Sequence, residues 1–109
     1  MEFVEHVLTD VVFLQPRERL TVENEADLKA AVKQHLRAGR VRMVLDLAHV
    51  PYIDSCGLGT IAQAHLNMNR AGGWLKLQNV TGHNLHLLSV SRLLGVIGLY
   101  SAGRHAASA

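Results

Sequence analysis

Between Val41 and Val80 the chain passes from an apolar run, through a polar loop and an amphipathic stretch, to a second apolar run, and few folds accommodate that succession. Val41 to Leu47 starts by alternating and becomes nearly continuous in apolar character (Val41, Met43, Val44, Leu45, Leu47), which predicts a strand buried on both faces within a sheet. Ser55 to Arg70 is predicted helical. Leu58, Ile61, Ala62 and Leu66 form its inward stripe, and Asn67, Asn69 and Arg70 face water. Asp54 or Ser55 caps its start, and Gly72-Gly73 ends it. Trp74 to Val80 is a further strand. A strand, helix and strand joined this way make a right-handed crossover with parallel strands, so the fold class is α/β.

The flanks extend the sheet. Phe3 to Leu8 and Val11 to Leu14 are short strands separated by Thr9-Asp10 and close enough to pair as a hairpin, an antiparallel N-terminal edge; Pro16, without an N–H, stops the second. Val22 to Ala38 is predicted to be a helix with Val22, Ala26, Val32 and Leu36 on one face, Thr21 as N-cap and Gly39 at its end. Its acidic residues (Glu23, Glu25, Asp27) cluster at the start and its basic ones (Lys33, Arg37, Arg40) at the end, as the helix dipole favours. Gly82 to Val90 reads as a short helix on Leu85, Leu87 and Leu88, and Val96 to Tyr100 as a last short strand. The expectation is one domain over residues 1–100, with a mixed sheet of four to five strands and helices packed against it. The small, polar stretch 101–109 is expected to be a disordered tail.

Composition excludes several classes of function. A net charge of +2, from basic residues scattered among acidic ones, lacks the clustered stripe of a nucleic-acid binder. The single cysteine allows no internal disulfide and fits a reducing cytoplasm. No basic segment followed by an apolar core opens the chain, and no apolar run approaches the roughly 20 residues that span a bilayer, so a cytoplasmic protein without membrane insertion is expected. Of seven histidines, His83 and His86 share a helical face, but no carboxylate or thiol joins them at ligand spacing; no metal and no cofactor is expected.

Chemistry concentrates between Asp46 and Gly59, where a strand leads to a serine at a helix start with glycines two and four residues on. Unpaired amides and the positive end of the helix dipole surround such a hydroxyl. A P-loop would need a lysine and a spacing that are absent. A nucleophile elbow, Gly-x-Ser-x-Gly, would need glycine where Ile53 stands, and no histidine base is identified, so a hydrolase is disfavoured. A phosphoacceptor suits the geometry, because a phosphoserine adds roughly −1.5 to −2 charges at a place where its own fold accommodates them. The plainest alternative is a serine that only caps the helix.

The same stretch, with its core Tyr52-Ile53-Asp54-Ser55-Cys56-Gly57-Leu58-Gly59 followed by Gly72-Gly73, resembles the signature of the STAS domain, shared by anti-sigma-factor antagonists and the cytoplasmic tails of sulfate transporters. Leu75 to Val80 and Leu85 to Tyr100 fit that family in order and spacing. The resemblance implies a STAS-like domain and a non-catalytic, phosphorylation-controlled switch. Ser55 would be phosphorylated by an anti-sigma-factor serine kinase and restored by a serine phosphatase, and Asp54 would orient the site. The docking surface would comprise Cys56 and Gly57, the exposed face of the following helix (Thr60, Gln63, Asn67) and the Arg19–Thr21 turn. Where the family has a small Ser, Thr or Ala after the switch serine, this chain has Cys56. Where the family turn has Gly and Asp, this chain has Glu18 and Thr21, and a positive φ would strain Glu18. The rival implication is a constitutive STAS adaptor in a lipid-transport ATPase or stress-signalling complex, with Ser55 a cap alone.

Overall fold

The computed structural model describes residues 1–101; residues 102–109, most of the expected tail, lie outside the described residues. The elements are β1 (Phe3–Leu8), β2 (Val11–Pro16), α1 (Glu25–Arg37), β3 (Arg42–Asp46), α2 (Ser55–Arg70), β4 (Trp74–Gln78), α3 (Gly82–Val90) and α4 (Leu93–Ile97). The four strands form one sheet in the order β1-β2-β3-β4. The β1–β2 pair is the antiparallel hairpin, and β2–β3 and β3–β4 are parallel, as the crossover requires.

Register explains the core. Val12 pairs with Met43 and Met43 with Leu75; Leu14 pairs with Leu45 and Leu45 with Leu77. Side chains two apart share a face, so these six make one apolar layer. They pack with Leu28 and Val32 of α1 and Ile61, Ala64 and Met68 of α2, while Leu88 and Ile97 complete the same cluster. On the opposite face Phe13, Val44 and Lys76 lie side by side. There His6 stacks on Phe13, Phe13 meets Tyr100 edge-on and Trp74 stacks on Tyr100, with ring centroids 5.0 to 6.0 Å apart. On this face β3 contributes Val44, fully buried between Arg42 and Asp46.

The structure departs from the expected elements in several places. α1 begins at Glu25, not Val22, because residues 21–24 form a separate turn in which the Thr21 carbonyl accepts from the amides of Asn24 and Glu25. The Thr21 hydroxyl accepts from Glu23 N and so closes that turn instead of capping α1. The buried face of α1 is Leu28, Val32 and His35, with Leu36 partly buried, while Ala26 and Val22 are exposed.

The stripe of α2 is rotated from the expected one. Gly57, Thr60, Ile61, Ala64 and Met68 face inward, and Leu66 is 44% exposed. Ile61 belongs to both stripes and Leu58 packs at the margin of the core; Gly57 favours the rotated face, since a Cβ there would stand 2.4 Å from the Leu20 carbonyl oxygen. The helix therefore turns Gly57 to the chain that crosses it. Finally, Val96 to Tyr100 is no full strand. Leu93–Ile97 is helical, burying Ile97, and among the described residues a single parallel bridge, Leu77 to Leu99, lies alongside β4.

Candidate functional site

At the carboxyl end of β3 the chain leaves the sheet under tight control. Asp46, 8% exposed, accepts from Ala48 N at 2.9 Å, Asn79 Nδ2 at 3.0 Å, Gln78 Nε2 at 3.1 Å and Gln15 Nε2 at 3.2 Å. Burial pushes its carboxyl up, but the Ala48 amide and the three side-chain amides together outweigh it and hold the group below the usual carboxylate range. One carboxylate thus ties the ends of β2, β3 and β4. Asn84 of α3 donates to the Val50 carbonyl at 2.5 Å and holds the next part of the loop.

Ile53 is buried and forms a parallel bridge with Leu20. Leu20 N donates to the Tyr52 carbonyl at 2.9 Å, and Asp54 N donates to the Leu20 carbonyl at 3.1 Å. Two segments remote in sequence, the Arg19–Thr21 turn and the approach to Ser55, are thereby placed side by side. Glu18 avoids the expected strain, since its φ is negative. Its carboxylate instead accepts from Glu2 N and Asn24 Nδ2.

Asp54 is the N-cap of α2. In extended conformation, it accepts from Gly57 N through Oδ1 and from Val22 N through Oδ2, both at 2.9 Å. The Gly57 amide first, then those of Val22 and Cys56, hold its carboxyl below the usual range. Because Asp54 performs the cap, Ser55 does not. Ser55 is the first residue of α2 and is exposed, and its hydroxyl has no hydrogen-bond partner among the described residues. Among those residues no histidine, carboxylate or lysine hydrogen-bonds to it, the contact by which a base activates a serine nucleophile.

The other residues expected at the docking face divide. Arg19, Cys56 and Gln63 are exposed, Thr21 and Asn67 are half-buried, and Gln63 donates to Asn67 at 3.0 Å. Gly57 and Thr60 are buried, Thr60 to 3% exposure, which corrects the placing of Thr60 on the exposed face of the helix. Thr60 lies in the seam between the helices, where its hydroxyl contacts the Cys56 carbonyl and the Glu25 carboxylate. That hydroxyl first, and then Lys29, keeps Glu25 below the usual carboxylate range.

Sequence reasoning missed two exposed, largely apolar residues on the segments that meet at Asp54. Val22 is 64% exposed, tethered to Asp54 through its amide, and Tyr52 is 46% exposed, stacked on His83 at 5.3 Å. Val22 was hidden by its plausible place in a helix. Tyr52 had a signal, an aromatic residue two before a cap in a polar loop. Among the described residues no group of three His, Cys, Asp or Glu is placed to hold a metal ion, and no helix is long and apolar enough to cross a membrane.

Comparison with known proteins places this geometry. Residues 3–106 match the family model of the STAS domain. A Thermotoga neapolitana protein, provisionally named an anti-sigma factor antagonist, is 30% identical over 95 residues, covering 86% of this chain and 84% of its own. The crystal structure of a Thermotoga maritima protein with the same provisional name superposes with a TM-score of 0.84 at 28% identity, over 97% of this chain and 92% of that one. SpoIIAA of Bacillus, in its phosphorylated form, has a TM-score of 0.74 at 16% identity, over 98% and 97% of the two chains, a likeness of fold.

Proposed function

The chain belongs to the STAS domain family, and on that premise we propose that it is an anti-sigma-factor antagonist, a binding protein switched by phosphorylation of Ser55. With a free hydroxyl, it docks on an anti-sigma-factor serine kinase in the cytoplasm and releases the sigma factor that kinase holds. The kinase then transfers the γ-phosphoryl group of ATP to Ser55 Oγ, whose proton leaves, and the complex parts. A serine phosphatase hydrolyses the phosphoester and restores binding.

The observation that carries the reading is the division of labour between neighbours: Asp54 takes the cap, and Ser55 stands exposed with an uncommitted hydroxyl. A serine that served only as a cap would have its oxygen on the amides of the first turn. Tyr52 and Cys56, close to that hydroxyl in the chain, are exposed, as is Val22, whose amide bonds to Asp54; such weakly polar groups suit a partner that excludes water from the contact. A phosphate there brings roughly −1.5 to −2 charges into the same contact. Burying an unpaired charge costs several kcal/mol, more than a hundredfold in affinity. The fold itself bears the charge easily, since Ser55 stands at the positive dipole end of α2.

The test is incubation with ATP and the histidine-kinase-like serine kinases encoded in the same genome, read by intact mass. One phosphoryl group should be gained by the native chain and none by Ser55→Ala. No gain with any of them would defeat the switch, and labelling of Ser55 by a fluorophosphonate would point to a hydrolase instead.

A further inference from the structure

Ser55 shares a surface depression of about 330 Å³ with Cys56 and Thr60 of α2 and with Glu25 and Lys29 of α1. Among the described residues Lys29 is the one basic side chain lining it. In the unmodified protein Lys29 is engaged: its Nζ stands 3.2 Å from one oxygen of Glu25 and 3.5 Å from the other. Glu25 is held in turn by the Thr60 hydroxyl. The depression therefore contains a closed pair, Lys29 with Glu25, beside a hydroxyl with no partner.

We propose that Lys29 is the counter-ion of phosphorylated Ser55, exchanging Glu25 for the phosphate; this rests on Ser55 being the modified residue. The exchange follows from charge and reach. A phosphoserine carries up to twice the charge of a carboxylate and offers three oxygens. Lys29 is a point charge on a flexible stem, and its side chain is 55% exposed, so it reorients without disturbing the core. Glu25 cannot follow, because Thr60 fixes it in the helix seam, and it is left facing a like charge. Phosphorylation then adds the phosphate to the docking face and also uncovers the Glu25 carboxylate.

The experiment places phosphoserine at position 55 by genetic encoding, without any kinase, and follows its phosphorus NMR shift with pH at ~0.15 M salt. The second ionisation of a phosphoserine ordinarily lies near pH ~6. Lys29→Gln should raise it by roughly half a unit or more, since an opposite charge a few ångströms away favours the dianion. Glu25→Gln should lower it by removing both a rival for Lys29 and a like charge. Lys33→Gln, one turn farther along α1 and lining other clefts, should leave it within ~0.1 unit. Equal shifts for the two lysine variants, or none for Lys29→Gln, overturn the assignment, and an unmoved midpoint in Glu25→Gln overturns the exchange. The proposed function fails separately, if the encoded phosphoserine leaves kinase binding unchanged whatever its titration.

Discussion

Gly57 and Gly59 sit two residues apart in α2, and the same substitution at each is expected to move stability in opposite directions. A Cβ at Gly57 would fall 2.4 Å from the Leu20 carbonyl oxygen and 2.9 Å from Leu20 Cγ, whereas one at Gly59 meets nothing within 4 Å. Alanine gains about 1 kcal/mol over glycine in a helix interior at either site. At Gly57 the gain is opposed by overpacking, about 2 kcal/mol. The oxygen it strikes also accepts from Asp54 N, and straining that bond costs about 1 kcal/mol more. Gly57→Ala should therefore be destabilised by about 2 kcal/mol, and Gly59→Ala stabilised by about 1 kcal/mol. With a urea m-value near ~1.5 kcal/mol/M, the midpoint should fall by about 1.3 M in the first variant and rise by about 0.7 M in the second. Thermal midpoints should follow, at roughly 4 °C or more per kcal/mol in a chain of this size. Circular dichroism in urea reads both. Gly57→Ala as stable as the native chain would refute the claim that glycine is there to let Leu20 cross the helix.

Ser55→Ala should bind the kinase as tightly as the unmodified chain and independently of ATP, while Ser55→Asp binds at least about tenfold more weakly, by titration calorimetry; equal affinities would contradict the charge argument. Tyr52→Ala should weaken the complex about tenfold, since it removes an exposed aromatic side chain from the loop that leads into the switch helix, and should shift Tm by under ~3 °C; unchanged binding would place the contact elsewhere. Asp46 has a folded pKa below its unfolded value, so its contribution is present above the unfolded value and is lost as pH falls through the folded one. Stability should accordingly decline below about pH 4, and Asp46→Asn, which turns an NH₂ toward donors, should cost about 2 kcal/mol at neutral pH and flatten that decline. A variant whose acid midpoint and slope match the native chain would rule out this carboxylate as a tie between strands.

The sheet was legible in the sequence because its strands announce themselves locally. The apolar run of β3, the Thr9-Asp10 turn and the Gly72-Gly73 break each depend on neighbouring residues alone, and all three mark the elements found. What escaped was set by partners distant in the chain. The start of α1 shifts because the Val22 amide is engaged by Asp54, more than thirty residues away. The face of α2 follows from the passage of Leu20 across Gly57. The expected last strand yields to α4 because Leu93, Leu94 and Ile97 find the core at helical spacing, which leaves only Leu99 to bridge β4. Periodicity ranks the faces of an element, and only the contacts choose among faces of similar rank.

The same long-range contacts explain how the motif Asp54-Ser55 separates structure from signal. Asp54 binds two amides, one that starts α2 and one that holds the turn after β2, so the integrity of the site depends on a carboxylate that stays charged across the neutral range. Ile53, buried, and Gly57, in contact with Leu20, fix the residues on either side. Ser55 lies between these anchors and is bound by neither. A group added to its hydroxyl therefore meets a backbone already held from both directions and changes the face shown to a partner far more than the fold that shows it. Had the serine supplied the cap, the same modification would have released an amide of α2 and altered stability and surface together. The proposed switch thus requires the aspartate to cap and the serine to remain idle, and exchanging the pair, as Asp54→Ser with Ser55→Asp, should abolish it. The exchanged chain should keep its helix content by circular dichroism and bind the kinase at least about tenfold more weakly even before ATP is added, because the permanent charge now stands at position 55. Native affinity in that chain would show that the order of the two residues carries no information.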